Sequence, residues 1–153
     1  MKKFHRILLA VDDSPCTDKI VNYAKDMFAT ESVSIALLTV VPPTSPATYG
    51  ADPLLGQQPI VVPEVTEIQQ NTAEELVQKI ASQFDTQIQT FTFTRVGNIR
   101  EEILALADEW SADLILMGTN GRTGFDHFIS GSVSESVIRK ATCPVLVIPI
   151  NCN

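Results

Sequence analysis

An open parallel β-sheet covered by helices on both faces, in a single α/β domain, is the fold class that this 153-residue sequence predicts. Three observations predict it. Short aliphatic runs alternate with segments of helical period along the whole chain. Most of those runs are apolar throughout, as strands buried on two faces are. And strands that alternate with helices join by right-handed crossovers, which makes neighbouring strands parallel.

The elements follow in order. "RILLAV" (6–11) is a short aliphatic strand stopped by Asp12-Asp13. A helix over 15–29 places Ile20, Ala24, Met27 and Phe28 on one face, with Asp13 or Ser14 as its cap and Pro15 in its first turn. "VSIALLTVV" (33–41) is a second strand, ended by Pro42-Pro43, and residues 64–84 put Val65, Ile68, Leu76, Ile80 and Phe84 at helical spacing. "IQTFTFTRV" (88–96) alternates, as a strand near a sheet edge does, and Gly97 turns the chain. A helix at 98–110 buries Ile99, Ile103, Leu106, Ala107 and Trp110. "DLILM" (113–117) is a fourth strand, 131–140 a fourth helix, and "PVLVIPI" (144–150) a last strand. Residues 42–63 break the alternation with six of the nine prolines and no periodicity. A loop that long is either a flap over a ligand or a surface excursion, and its residues do not choose.

Composition narrows the function. Hydrophobic residues at 44% and charged residues at 19% mark a globular chain with a well-buried core. Eleven basic against eighteen acidic residues give a net charge of −7, which repels a nucleic-acid backbone. The apolar part of "MKKFHRILLAVDDSP" is too short for a signal peptide and ends in two aspartates, and nothing else approaches a membrane span. Cys16, Cys143 and Cys152 have no CxxC spacing and read as structural thiols of a reducing compartment. The expectation is a cytoplasmic protein with neither nucleic-acid nor membrane partners.

The chemistry concentrates in "MGTNGRTGFDHFISGSVSES" (117–136), where four glycines follow directly on a buried strand. In an open parallel sheet, ligands sit beyond the carboxyl ends of the strands where strand order reverses. Gly118 and Gly121 follow such a strand end, and Gly131-Ser132 opens the next helix. Glycine lets backbone N–H groups approach a ligand closely, and a helix start adds unpaired donors and partial positive charge. With the Ser132 hydroxyl and the Arg122 cation, these residues suit a phosphate.

Several phosphate and hydrolytic chemistries do not fit. A P-loop needs GxxxxGK[ST], and no lysine occurs in this loop. GxGxxG should follow the first strand, where "VDDSP" stands instead. "TFTRVGN" and "VIPINCN" lack the aspartate and lysine of a phospho-acceptor domain, and no GxSxG elbow supports a serine hydrolase around His127.

"GTNG" at 118–121, nine residues, then Gly131-Ser132 matches the GxxGx9G[ST] signature, and with it the chain resembles the ATP-binding universal stress proteins. "ILLAVDDS", "GNIREEILALADEWSADLILMG" and "SVSESVIRKATCPVLVIP" extend the likeness over nearly the whole chain. The resemblance implies a five-stranded Rossmann-like sheet in the order 3-2-1-4-5, with Asp12 at the switch point. It further implies that Asp12 meets the ribose or an associated metal and that the backbone of Val40 reads adenine. Met117, Gly118, Gly121, Gly131, Ser132 and Val133 would form the strand end and phosphate loop. The implied ligand is ATP or AMP, with Mg or Mn accompanying ATP. Thr39 stands where many members have histidine, and Asp13 where many have glycine. A regulatory nucleotide binder is the expected function, with slow ATP hydrolysis as the alternative; an ATP-dependent ligase would need an SGGxDS loop absent from "VDDSPCTD". Finally, "PVLVIPI" has no charge to protect an exposed sheet edge. Pairing of two copies through that strand, as members of the resembling family do, predicts a homodimer.

Overall fold

A computed structural model of the chain describes residues 3–43, 63–119 and 133–149, with only the backbone described for 63–65. Five strands form one all-parallel sheet: β1 (Arg6–Ala10), β2 (Ser34–Val41), β3 (Gln89–Val96), β4 (Leu114–Gly118) and β5 (Val145–Ile148). Their spatial order is β3-β2-β1-β4-β5, so the chain winds outward from β1 in one direction and then returns to β1's other side to continue with β4. The α/β class, the parallel sheet and its strand order are as the sequence and its family likeness predict.

Helices cover both faces. On one lie α1 (Cys16–Phe28) and α2 (Pro63–Ala81), which bury Ile20, Val21, Ala24, Val77 and Ile80 against Ile7, Leu9, Ile35 and Leu37. On the other lie α3 (Ile99–Glu109) and α4 (Val133–Lys140), which bury Ile103, Leu106 and Val137 against Leu8, Ala36, Leu38 and Ile115. Side chains of a strand point alternately to the two faces. Continuous aliphatic runs in β1, β2 and β4 therefore feed both cores at once.

Four sequence expectations need correction. Met27, Ile68 and Ile99 are turned outward, at 42%, 63% and 41% exposure, because the sheet contacts only a narrow stripe of each helix. The cap position of α1 is Pro15, with no side-chain cap bond, rather than Asp13 or Ser14. Helix α2 ends at Ala81, not 84, although Phe84 still packs into the core from the turn that follows. Cys16, buried at the start of α1, is disulfide-bonded, so the reading of all three cysteines as thiols does not hold, while Cys143 keeps its thiol. Residues 44–62, which include most of the proline-rich stretch, lie outside the described residues.

Candidate functional site at the carboxyl ends of the strands

The reversal of strand order falls between β1 and β4. The register Leu9↔Leu116 brings the continuation of β1 into Asp12 alongside the continuation of β4 into Gly118 and Thr119. An acidic turn thus stands at the place where parallel sheets open a crevice.

That turn is built by its own side chains. Asp12 Oδ1 accepts from the N–H of Ser14 at 3.0 Å. The Thr17 hydroxyl donates to the Asp12 carbonyl at 2.6 Å, with Oδ1 of the same residue 3.1 Å away as a second acceptor. It also accepts from the Asp12 N–H at 3.1 Å. Asp12 and Thr17 thus bond to each other across the entry to α1, which begins with Thr17 N–H donating to Ser14 C=O at 3.1 Å. The Ser14 hydroxyl oxygen is enclosed and finds no hydrogen-bond partner among the described residues.

Beside the turn, β2 outlasts β1. The β1–β2 register ends at Ala10↔Leu38, while β2 continues beside β3 as far as Val41↔Val96. Leu38 C=O accepts from Val11 N–H at 2.9 Å, and Val41 C=O accepts from Gly97 N–H at 3.0 Å. Backbone polar groups in a parallel strand face its two neighbours alternately. The N–H and C=O of Val40 therefore face the β1 side, beyond the last registered β1–β2 pair. Thr39 points the other way, to the α1–α2 face, where its buried hydroxyl donates to Val11 C=O at 3.0 Å. A small buried hydroxyl thus braces the end of β1.

Val40, Met117 and Val133 share one apolar cluster on the α3–α4 face. Met117 is buried, and Gly118 is held in register with Ile148. Five of the residues singled out from the sequence (Asp12, Val40, Met117, Gly118 and Val133) thus gather at one end of the sheet. The other four, Gly121, Arg122, Gly131 and Ser132, lie outside the described residues. Among the described residues, no three His, Cys, Asp or Glu side chains converge as a metal site. Sequence reasoning missed Thr17, and the signal available was a hydroxyl five positions after the aspartate, in the first turn of α1.

The chain matches the model of the universal stress protein family over residues 3–149. It is 28% identical to a universal stress protein of Synechocystis over 152 residues, covering 95% of this chain and 97% of that one. A 72-residue stretch is 43% identical to a universal stress protein of Methanocaldococcus jannaschii, spanning 47% of this chain and 41% of that protein. Among solved structures, a universal stress protein in complex with cAMP superposes with a TM-score of 0.66 at 19% identity, over 97% of this chain and 98% of that one. The universal stress protein of Archaeoglobus fulgidus in complex with dAMP does so at 0.55 and 20%, over 95% and 98%. At such identities the two structures attest the fold, while the family match spans almost every residue of the sequence. With that match over a sheet of the same architecture, the chain belongs to the universal stress protein family.

Proposed function

We propose that the chain is a regulatory protein that binds ATP or AMP at the carboxyl ends of its strands, with residues 1–153 acting as one nucleotide-binding domain. The observation that carries this reading is the strand-end geometry: Val40 presents its backbone polar groups beyond the end of β1, beside the fixed Asp12 carboxylate. An extended backbone with a donor and an acceptor on one side suits the edge of an adenine ring. A carboxylate near it suits ribose hydroxyls. Two family members with this fold are described with cAMP and dAMP, and adenine is common to both ligands.

In this reading Met117, Gly118 and Val133 frame the strand end, and Gly121, Arg122, Gly131 and Ser132 hold the phosphates. A chain of charge −7 needs such local donors to accept a polyanion. Mg or Mn would accompany the triphosphate and offset its charge near Asp12 and Asp13. Calorimetric titration with ATP, AMP and GTP tests the reading. Binding of ATP or AMP with little binding of GTP is expected; no binding of either adenine nucleotide at millimolar concentration overturns it.

The same reading includes a homodimer through β5. Among the described residues β5 pairs only with β4, and its Val145, Leu146 and Val147 remain half-buried. Light scattering should give a dimer that Val147→Lys dissociates, whereas a monomer at tens of micromolar contradicts it.

A further inference from the structure

We infer that Thr17 is the positioning residue for the Asp12 carboxylate, an assignment that rests on nucleotide binding at this site. The geometry is specific. Thr17 is buried, belongs to the first turn of α1, and meets Asp12 at three atoms: N–H at 3.1 Å, C=O at 2.6 Å and Oδ1 at 3.1 Å. Both backbone polar groups of Asp12 are thereby fixed relative to α1, and the carboxylate is fixed relative to that backbone. The Ser14 N–H holds Oδ1 from the other side of the turn at 3.0 Å.

A carboxylate two bonds from its backbone has two torsions to lose before it can receive a ligand. Fixing Oδ1 from two directions removes both of them, and the direction of Oδ2 follows from the plane of the carboxyl group. Preorganisation of this kind raises affinity by lowering the ordering cost of binding, with no contact between Thr17 and the ligand. Because α1 packs its buried face on β1 and β4, the hydroxyl is carried by a rigid element and not by the turn it holds. The methyl group of Thr17 has no part in this role; the hydroxyl has all of it.

The test is calorimetric titration of Mg-ATP into the intact protein and its variants. Thr17→Val keeps the β-branched shape and removes the hydroxyl, and should weaken ATP binding about tenfold, as loss of a charge-assisted hydrogen-bond network does. Thr17→Ser keeps the hydroxyl and should bind within about twofold of the unaltered chain. Unchanged affinity in Thr17→Val overturns the inference. So does a Thr17→Ser variant as weak as Thr17→Val, since packing of the methyl group would then be the cause. If Thr17→Val does not fold, Thr17→Ala takes its place, and failure of both to fold assigns Thr17 to the fold and overturns its positioning role. Absence of ATP binding by the unaltered chain is a different failure, which removes the nucleotide-binding reading itself.

Discussion

At the amino ends of β1 and β4, Asp113 accepts from the backbone N–H of His5 at 2.8 Å and of Arg6 at 3.0 Å, one to each carboxylate oxygen. At the carboxyl end of β1, Asp12 turns Oδ1 inward to Ser14 and Thr17, within its own turn. The first aspartate ties one strand to another across more than a hundred residues of sequence. The second shapes a turn and does not cross the sheet in these bonds. Further bonds reinforce the amino end: Arg6 Nε donates to Trp110 C=O at 2.7 Å, its guanidinium lies 4.3 Å from the Trp110 ring centre, and Asp113 N–H donates to Arg6 C=O at 2.8 Å. The two ends divide the work between them. One end of the sheet uses its charges to close the seam between β1 and β4, and at the other an N–H and a hydroxyl hold a carboxylate in place beside a strand end.

Exchanging the two aspartates for alanine separately should break the comparison most clearly. Asp12→Ala should weaken ATP binding at least about tenfold, through lost hydrogen bonds to a charged acceptor. Asp113→Ala should leave ATP affinity within about twofold but lower unfolding free energy by about 1–2 kcal/mol in urea titration; the value is modest because these N–H groups can rehydrate. Equal loss of affinity in both variants would erase the distinction between the ends.

A smaller effect is expected at Arg6. Arg6→Met retains an apolar stem and removes both the bond to Trp110 C=O and the cation over its ring. A stability loss of about 1 kcal/mol with unchanged nucleotide affinity is the expected result. Any change in affinity would mean that the two ends are mechanically coupled.

The smallest effect belongs to the surface of α3. Arg95 on the outer strand β3 pairs with Glu102 at 3.4 Å and with Glu109. The hydrogen bond from Arg95, ahead of the Coulombic attraction, holds the Glu109 carboxyl below its usual value of 4.5. A carboxyl whose folded pKa is lowered adds stability above its unfolded pKa and loses it as pH falls through the folded value. Glu109→Gln should therefore lower the melting temperature slightly at neutral pH, and the difference should vanish in acid below that value. Since Glu109 is exposed, salt should diminish it as well. A difference that grows in acid would contradict this sign.

The sheet was legible because its strands are apolar on both faces and end at unmistakable breakers, Asp12-Asp13 after β1 and Pro42-Pro43 after β2. Even the edge position of β3 could be read from the alternation in "QTFTFTRV". Less legible was which apolar residues of a helix reach the sheet. Met27, Ile68 and Ile99 fit a 3.6-residue period but lie at the rim of the buried stripe, and period alone does not locate that rim. At the candidate site, the position of Asp12, Val40, Met117, Gly118 and Val133 near the strand ends could be read in advance, because the breakers after each strand mark those ends. Thr17 could not, because a buried hydroxyl returning to a backbone five residues earlier leaves no hydrophobic pattern. The bond at Cys16 was illegible for a similar reason, since spacing along the chain does not show which sulfurs meet in space.

Adenine-nucleotide binding at the carboxyl ends of the strands is the central claim, and amide NMR during ATP titration tests it most directly. The account predicts shifts concentrated at Val11, Asp12, Asp13 and Ser14, at Thr39, Val40 and Val41, and at Met117, Gly118 and Thr119. The amides of His5, Arg6, Trp110 and Asp113 at the opposite end should stay in place. Shifts centred on that opposite end, or none at any residue with millimolar ATP present, would contradict it.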